Sequence, residues 1–170
     1  MAREVTVFRV VLGVFVLALA FAGWGGWTWF RAGNDDSIAY ATARDEVLVM
    51  GREQVATLTT LDYHDVDGGI AKWLAVSTGG LRDELAATDA TTRKSLKDGA
   101  TVATGRVLDA AVSELDTRTG AAKLLVSVEI SNAKDGAPPV AKRNRFVAAM
   151  ALTDDGWKLS ALDQVSLGTR

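Results

Sequence analysis

The chain has 170 residues, one histidine and no cysteine, and its 19 Lys/Arg against 21 Asp/Glu give a formal charge of −2 at pH 7. That composition excludes disulfides, thiolate chemistry and cysteine-based metal sites, and its near-neutral balance argues against a nucleic-acid partner. Residues 32–170 alone carry 16 Lys/Arg and 20 Asp/Glu, about −4, in a length that makes one domain able to bury a core without staples.

The first element is an apolar run. Val10 to Phe30 is 21 consecutive uncharged residues, VVLGVFVLALAFAGWGGWTWF. At 1.5 Å of rise per residue such a helix spans about 31 Å, the thickness of a bilayer's hydrocarbon, and it satisfies its own backbone groups there. Trp24, Trp27 and Trp29 crowd its C-terminal end, where amphipathic rings act as an interfacial anchor at headgroup level. Arg3 and Arg9 flank the other end, and the slight basic bias puts that end in the cytoplasm. The expected organisation is a short cytoplasmic N-terminus (1–9), a transmembrane helix (10–30), a linker (31–36) and an extracytoplasmic domain (37–170), held on the cytoplasmic (inner) membrane by a single pass. Ala20-Phe21-Ala22 also fits the small-x-small pattern of a signal-peptide cleavage site, and either reading exports the domain. Ala18, Ala22 and Gly26, spaced by four, stack on one helix face and would allow close packing against another membrane helix. The abundance of Ala and Gly in this composition accounts for the same spacing without a partner.

From Ser37 to about Leu61 the pattern is helical, with Tyr40, Leu48, Gly51, Val55, Leu58 and Leu61 in one stripe and Ser37 as N-cap. Asp62 to Gly69 is a run of turn formers, followed by a short helix, Ile70 to Ala75, with Trp73 and Leu74 inward. Ser77 or Thr78 then caps a second long helix with Leu81, Leu85, Thr88, Thr92 and Leu96 buried, ended by Asp98-Gly99. From Thr101 the period changes to two. Strands are expected over Thr101–Leu115, where Gly105 and Ala110-Ala111 suggest a bulge, over a segment with Leu124, Val126, Val128 and Ile130 facing one way, over Val140–Thr153 with Phe146, Ala148, Met150 and Leu152 inward, and over Trp157–Leu167. Asp154-Asp155-Gly156 makes the last tight turn. Helices followed by an antiparallel meander give an α+β domain with helices packed on one face of a curved four-stranded antiparallel sheet.

This order of elements resembles the Mce-associated membrane proteins of actinobacteria. The likeness is carried by Leu58-Thr59-Thr60-Leu61-Asp62-Tyr63, Trp73-Leu74-Ala75-Val76-Ser77-Thr78-Gly79, Lys123-Leu124-Leu125-Val126-Ser127-Val128, Asp154-Asp155-Gly156-Trp157-Lys158-Leu159 and Leu162-Asp163-Gln164-Val165. It covers nearly everything after Ser37, each motif being moderately specific alone. The resemblance implies a cystatin-like fold of the nuclear-transport-factor-two and type IV secretion scaffold kind. It also implies a non-catalytic accessory role in an Mce-type lipid importer for fatty acids or sterols. The implied partners are the Mce substrate-channel subunits and the permease of the ABC-type importer, with a homo-oligomer as the alternative, beside membrane lipid. The nine residues before the apolar run are fewer than family members often carry.

Relatives of that fold that catalyse use acids or histidines inside the cone between helices and sheet. Here the lone histidine, His64, lies beside Asp62, Asp65 and Asp67. A His–Asp dyad could move a proton, yet the same residues make an ordinary solvated turn between helices. Asp65-Val66-Asp67-Gly68 is a fragment of a calcium loop without the later ligands or the closing Glu. No cofactor, metal or catalytic residue is therefore expected. Lys142, Arg143 and Arg145 read as a polar outer sheet face or charged edge, with a partner-binding patch as the alternative. A filled cone would make the domain a scaffold, whereas a cavity of about 300 Å³ or more would make it an apolar-ligand module or an isomerase-like enzyme.

Overall fold

The computed structural model describes residues 21–27, 36–134 and 137–165. Two units divide at Thr42 and Ala43. Residues 21–27 are helical, and the remaining positions of the expected 10–30 span lie outside the described residues. No helix among the described residues is long and apolar enough to cross a membrane.

Helix α1 runs Asp36–Leu58. Ser37 therefore sits inside the helix rather than capping it. The buried stripe of α1 is Val47, Gly51, Gln54 and Val55, and Leu48 is only partly buried. Tyr40, expected inward, is exposed. A two-residue strand, β1 (Leu61–Asp62), follows and leads through a 3-10 turn, Tyr63–Asp65, into α2 (Val66–Val76). Asp65 caps α2 by accepting the Gly68 N–H, which starts that helix four residues before the expected Ile70. The expected second long helix is two helices, α3 (Gly79–Ala86) and α4 (Ala90–Asp98). The break has a local cause. Asp89 accepts the Thr92 N–H at 2.7 Å and starts a new helix, so Thr88 lies in the link and not on a continuous stripe.

Strands β2 (Thr101–Asp116), β3 (Ala121–Lys134), β4 (Val140–Thr153) and β5 (Gly156–Gln164) form the meander. The sheet has five strands rather than four, in the order β1-β2-β3-β4-β5. Its extra member forms where the helical pattern runs out: Leu61, expected on the helix stripe, pairs with Ala103, and Asp62, the first of the turn formers, pairs with Val102. The register shifts in β2 fall between Val107 and Asp109 and between Val112 and Glu114, not at Gly105 or at Ala110-Ala111, which pair regularly with Ile130, Val126 and Leu125. Gly105 serves a close approach instead. A Cβ there would lie 1.8 Å from Thr59 Oγ1, where the chain leaves α1 and crosses β2. The Gly105 N–H donates to Thr60 Oγ1.

The alternation of β3 is as expected, with Leu124, Val126 and Val128 buried on the helix-covered face and Ile130 packed at its margin. In β4, Ala148 and Met150 are buried, but Leu152 is 52 % exposed although it lies opposite the buried Trp157. Trp157 and Leu159 complete the core from β5. The link between α2 and α3 covers the middle of that edge strand, where Ser77 bridges Leu159 and Thr78 N–H donates to the Leu159 carbonyl at 2.7 Å.

Candidate functional site

The space between α1 and the sheet is the first place to seek a ligand, and side chains fill it. Val47 and Val55 from α1 meet Leu124, Val126, Met150, Trp157 and Leu159 from the sheet. At Gly51 the helix comes so close that an added Cβ would lie 2.6 Å from Leu124 Cδ2 and 3.0 Å from Met150 Sδ. Among the described residues, Gln54 brings a polar side chain into this interior. Gln54 donates its amide N–H to the Trp157 carbonyl at 2.5 Å, and its Oε1 is buried with no partner among the described residues.

A cleft of about 480 Å³ opens where the end of α1, β1 and the start of α2 meet, lined by Glu53, Thr57, Thr60, Asp62, Asp65 and Lys72 among others. At its margin His64 Nδ1 lies 2.7 Å from Asp62 Oδ1, with the two side chains 65 % and 52 % exposed. The backbone N–H of His64 donates to the same carboxylate oxygen, and with the imidazole it holds the Asp62 pKa below its ordinary value. This is an Asx turn capping the 3-10 segment, with the imidazole tilted 35° to the Tyr63 ring at 3.8 Å between ring centroids.

The neighbouring acids have structural work. Asp65 caps α2, while Asp67 accepts from Arg93 Nη1 at 2.8 Å and Lys97 Nζ at 3.1 Å, tying α4 to α2. Those two cations, Arg93 first, hold the Asp67 carboxyl below its ordinary pKa. Among the described residues no cluster of three or more His, Cys, Asp or Glu is placed to hold a metal ion. Trp73, expected inward, is half-buried, and its indole N–H donates to the carbonyls of Thr57 and Thr60 at 3.1 and 3.0 Å. That satisfies backbone acceptors that a helix end leaves open.

The basic cluster divides as the strand period requires. Arg143 and Arg145 share the outer face of β4, and Lys142 has the opposite facing, paired with Ile130. Arg143 and Arg106 both reach Glu129, at 3.6 and 2.8 Å. Arg106 first, then Arg143, lowers the Glu129 pKa. Arg145 has no ion pair among the described residues. It borders a trough of about 400 Å³ on the outer sheet face, together with Asp109, Ala111, Leu125, Ser127 and Val165. No sequence signal pointed to this trough, because a short side chain at Ser127 between Leu125 and Glu129 is unremarkable in one dimension.

Of the expected membrane-packing residues, Ala22 and Gly26 lie in the helical segment 21–27, four apart and therefore on one face, while Ala18 lies outside the described residues. Trp24 and Trp27 are exposed on that segment, and Trp29 lies outside the described residues.

No family model matches the chain, and no curated protein matches its sequence. Solved structures do match its fold. An IcmL-like type IV secretion system protein from Legionella pneumophila has a TM-score of 0.59 at 11% identity, over 75% of this chain and 96% of that one. The periplasmic domain of DotI has a TM-score of 0.58 at 8% identity, over 70% and 92%. CagV of Helicobacter pylori, a VirB8 homolog of a type IV secretion system, has 0.55 at 8% identity, over 72% and 98%. The described α+β domain has the fold of these secretion-system domains.

Proposed function

We propose that this chain is a non-catalytic accessory subunit of a membrane transport complex, with residues 37–170 outside the cytoplasmic membrane. The observation that carries this reading is the filled interior: Gly51 brings α1 onto Leu124 and Met150, where a ligand-binding relative would keep a cavity. The acids nearest the lone histidine are engaged in capping and in ion pairs, as a scaffold requires. The structural neighbours include a periplasmic domain and secretion-system components, which supports an exported assembly role at the level of fold.

The finer reading is an Mce-type lipid importer, and it rests on the sequence motifs given above. In that role the apolar run 10–30 anchors the protein, Ala18, Ala22 and Gly26 pack against a permease or a second copy, and Trp24, Trp27 and Trp29 sit at the interface. Fatty acid or sterol is then the cargo of the complex and not a ligand of this domain.

The test is affinity capture of the full chain from detergent-solubilised membranes, with partners identified by mass spectrometry and lipid uptake measured alongside. Importer subunits should be recovered. Ala22→Ile with Gly26→Ile should keep the protein in the membrane but weaken that recovery and lower uptake, while His64→Ala leaves uptake unchanged. Recovery of secretion-type components in place of importer subunits would move the protein to a secretion assembly. Lost uptake from a folded His64→Ala variant would favour an enzyme.

A further inference from the structure

We infer that the outer face of the sheet is a contact between two copies of this chain, arranged so that Asp109 of each copy faces Arg145 of the other. Asp109 pairs in register with Ser127 on β3, and Ser127 pairs with Arg145 on β4. The three residues form one row across the outer face, so the acid and the base stand two strand spacings apart, about 10 Å, with a small hydroxyl between them. Neither Asp109 nor Arg145 has an ion-pair partner among the described residues. Their neighbours on this face do: Arg106 and Arg143 hold Glu129, and Lys123 holds Glu114 at 2.9 Å.

The adjoining row is apolar. Ala111 pairs with Leu125, and Leu125 with Val147. Leu125 is 52 % exposed and Val165 41 %. The 400 Å³ trough lies among these residues, and a second space of about 430 Å³ shares Ser127, Arg145 and Val165 with it. The row Asp109–Ser127–Arg145, negative at one end and positive at the other, with an apolar row beside it, is complementary to itself under a twofold rotation. An axis lying in the interface along β3, near Ser127, sets each Asp109 against an Arg145 and brings the two Leu125 side chains together. The troughs leave room for them, and two sheets packed face to face in this way stack about 10 Å apart. An anionic amphiphile laid in the trough would satisfy Arg145 but would place apolar chain or negative charge beside Asp109. The second copy satisfies both ends. This inference does not depend on the importer reading.

The experiment uses the full chain in detergent, with dimer affinity read by mass photometry over a dilution series and folding read by circular dichroism. Asp109→Arg and Arg145→Asp each turn two symmetry-related attractions into repulsions and should weaken the dimer about tenfold or more. Asp109→Arg combined with Arg145→Asp in one chain should restore affinity to within about threefold of the parent. An equimolar mixture of the two single variants should form mixed dimers. Because the chain has no cysteine, Ser127→Cys gives a single thiol near the axis that a short bis-maleimide should join into dimers, whereas Leu152→Cys should not. This arm does not rely on the charge variants folding. A parent chain that stays monomeric throughout, a dimer unmoved by both reversals, a folded combined variant that fails to recover, or no cross-link at Ser127→Cys would each overturn the inference.

Discussion

Gly51 on α1 sits over Leu124 on β3 with no room between them: a Cβ on Gly51 would fall 2.6 Å from Leu124 Cδ2. Two effects oppose each other at this position. Replacing a mid-helix glycine by alanine gains about 1 kcal/mol of helix propensity, while displacing the buried Leu124 and Met150 costs a similar amount. Gly51→Ala should therefore leave the melting temperature nearly unchanged. Gly51→Leu adds three further carbons to a filled space and should cost about 3 kcal/mol. Thermal melts of the two variants check the difference, and equal melting temperatures would mean that α1 moves away from the sheet at little cost.

The register of β3 gives a second prediction. Val128 is fully buried, and Glu129, one residue on, faces outward between Arg106 and Arg143. Val128→Asp buries a carboxylate among Val and Leu with nothing to accept from, at a cost of about 3 kcal/mol or more. Glu129→Lys gathers three cations on one face, yet water reaches all of them. It should destabilise less than Val128→Asp, and its penalty should shrink when salt is added, as a screened repulsion must. Chemical denaturation at low and high salt separates the two.

Why the strands were readable and the helices less so follows from these positions. In β3 a period of two separates Leu124, Val126 and Val128 from Lys123, Ser127 and Glu129, and burial on one face fixes that register. In α1 the expected stripe holds Gly51 and Val55, which are buried, but it passes over Gln54, a polar type, and takes the partly buried Leu48 in place of the buried Val47. Asp89 carried the break between α3 and α4, but a single cap-forming residue inside a helical pattern is a weak signal until its partner, the Thr92 N–H, is located. The outer trough was not legible at all. It depends on Asp109, Ser127 and Arg145 standing in one row on three strands, which only the pairing register discloses.

Acid stability should depend on Asp67. Its folded-state pKa is lowered by Arg93 and Lys97 from the ordinary value of 3.8. A lowered pKa means that the unfolded chain binds the proton more readily, so stability is fully present above about pH 5 and is lost as pH falls through 3.8 toward the depressed value. Asp62, Asp89, Asp116 and Glu129 are lowered as well and steepen the same limb. Asp67→Asn should lower the melting temperature at pH 6 and low salt, with the gap to the parent closing toward pH 2. A gap constant across that range would show that the ion pairs to α4 contribute nothing to stability.

Gln54 supplies the last prediction, because its environment discriminates between a neutral and a charged side chain of the same shape. Its amide N–H donates to the Trp157 carbonyl in the interior, and the other end of the amide has no partner among the described residues. Gln54→Glu keeps the size. When protonated, the carboxyl group can still donate to Trp157 through its O–H. When ionised, it brings an unpaired charge against a carbonyl oxygen in an apolar surround. The folded-state pKa of the new Glu is therefore raised above its unfolded value of about 4.3. The unfolded chain releases the proton first, so relative stability is retained at acid pH and falls as pH rises above that value. Gln54→Glu should be within about 1 kcal/mol of the parent near pH 4 and about 3 kcal/mol less stable at pH 7. The sign is opposite to that of Asp67, so urea unfolding of both variants at the two pH values tests the pair together. A Gln54→Glu penalty that does not grow with pH would place water, rather than the apolar core, around this side chain.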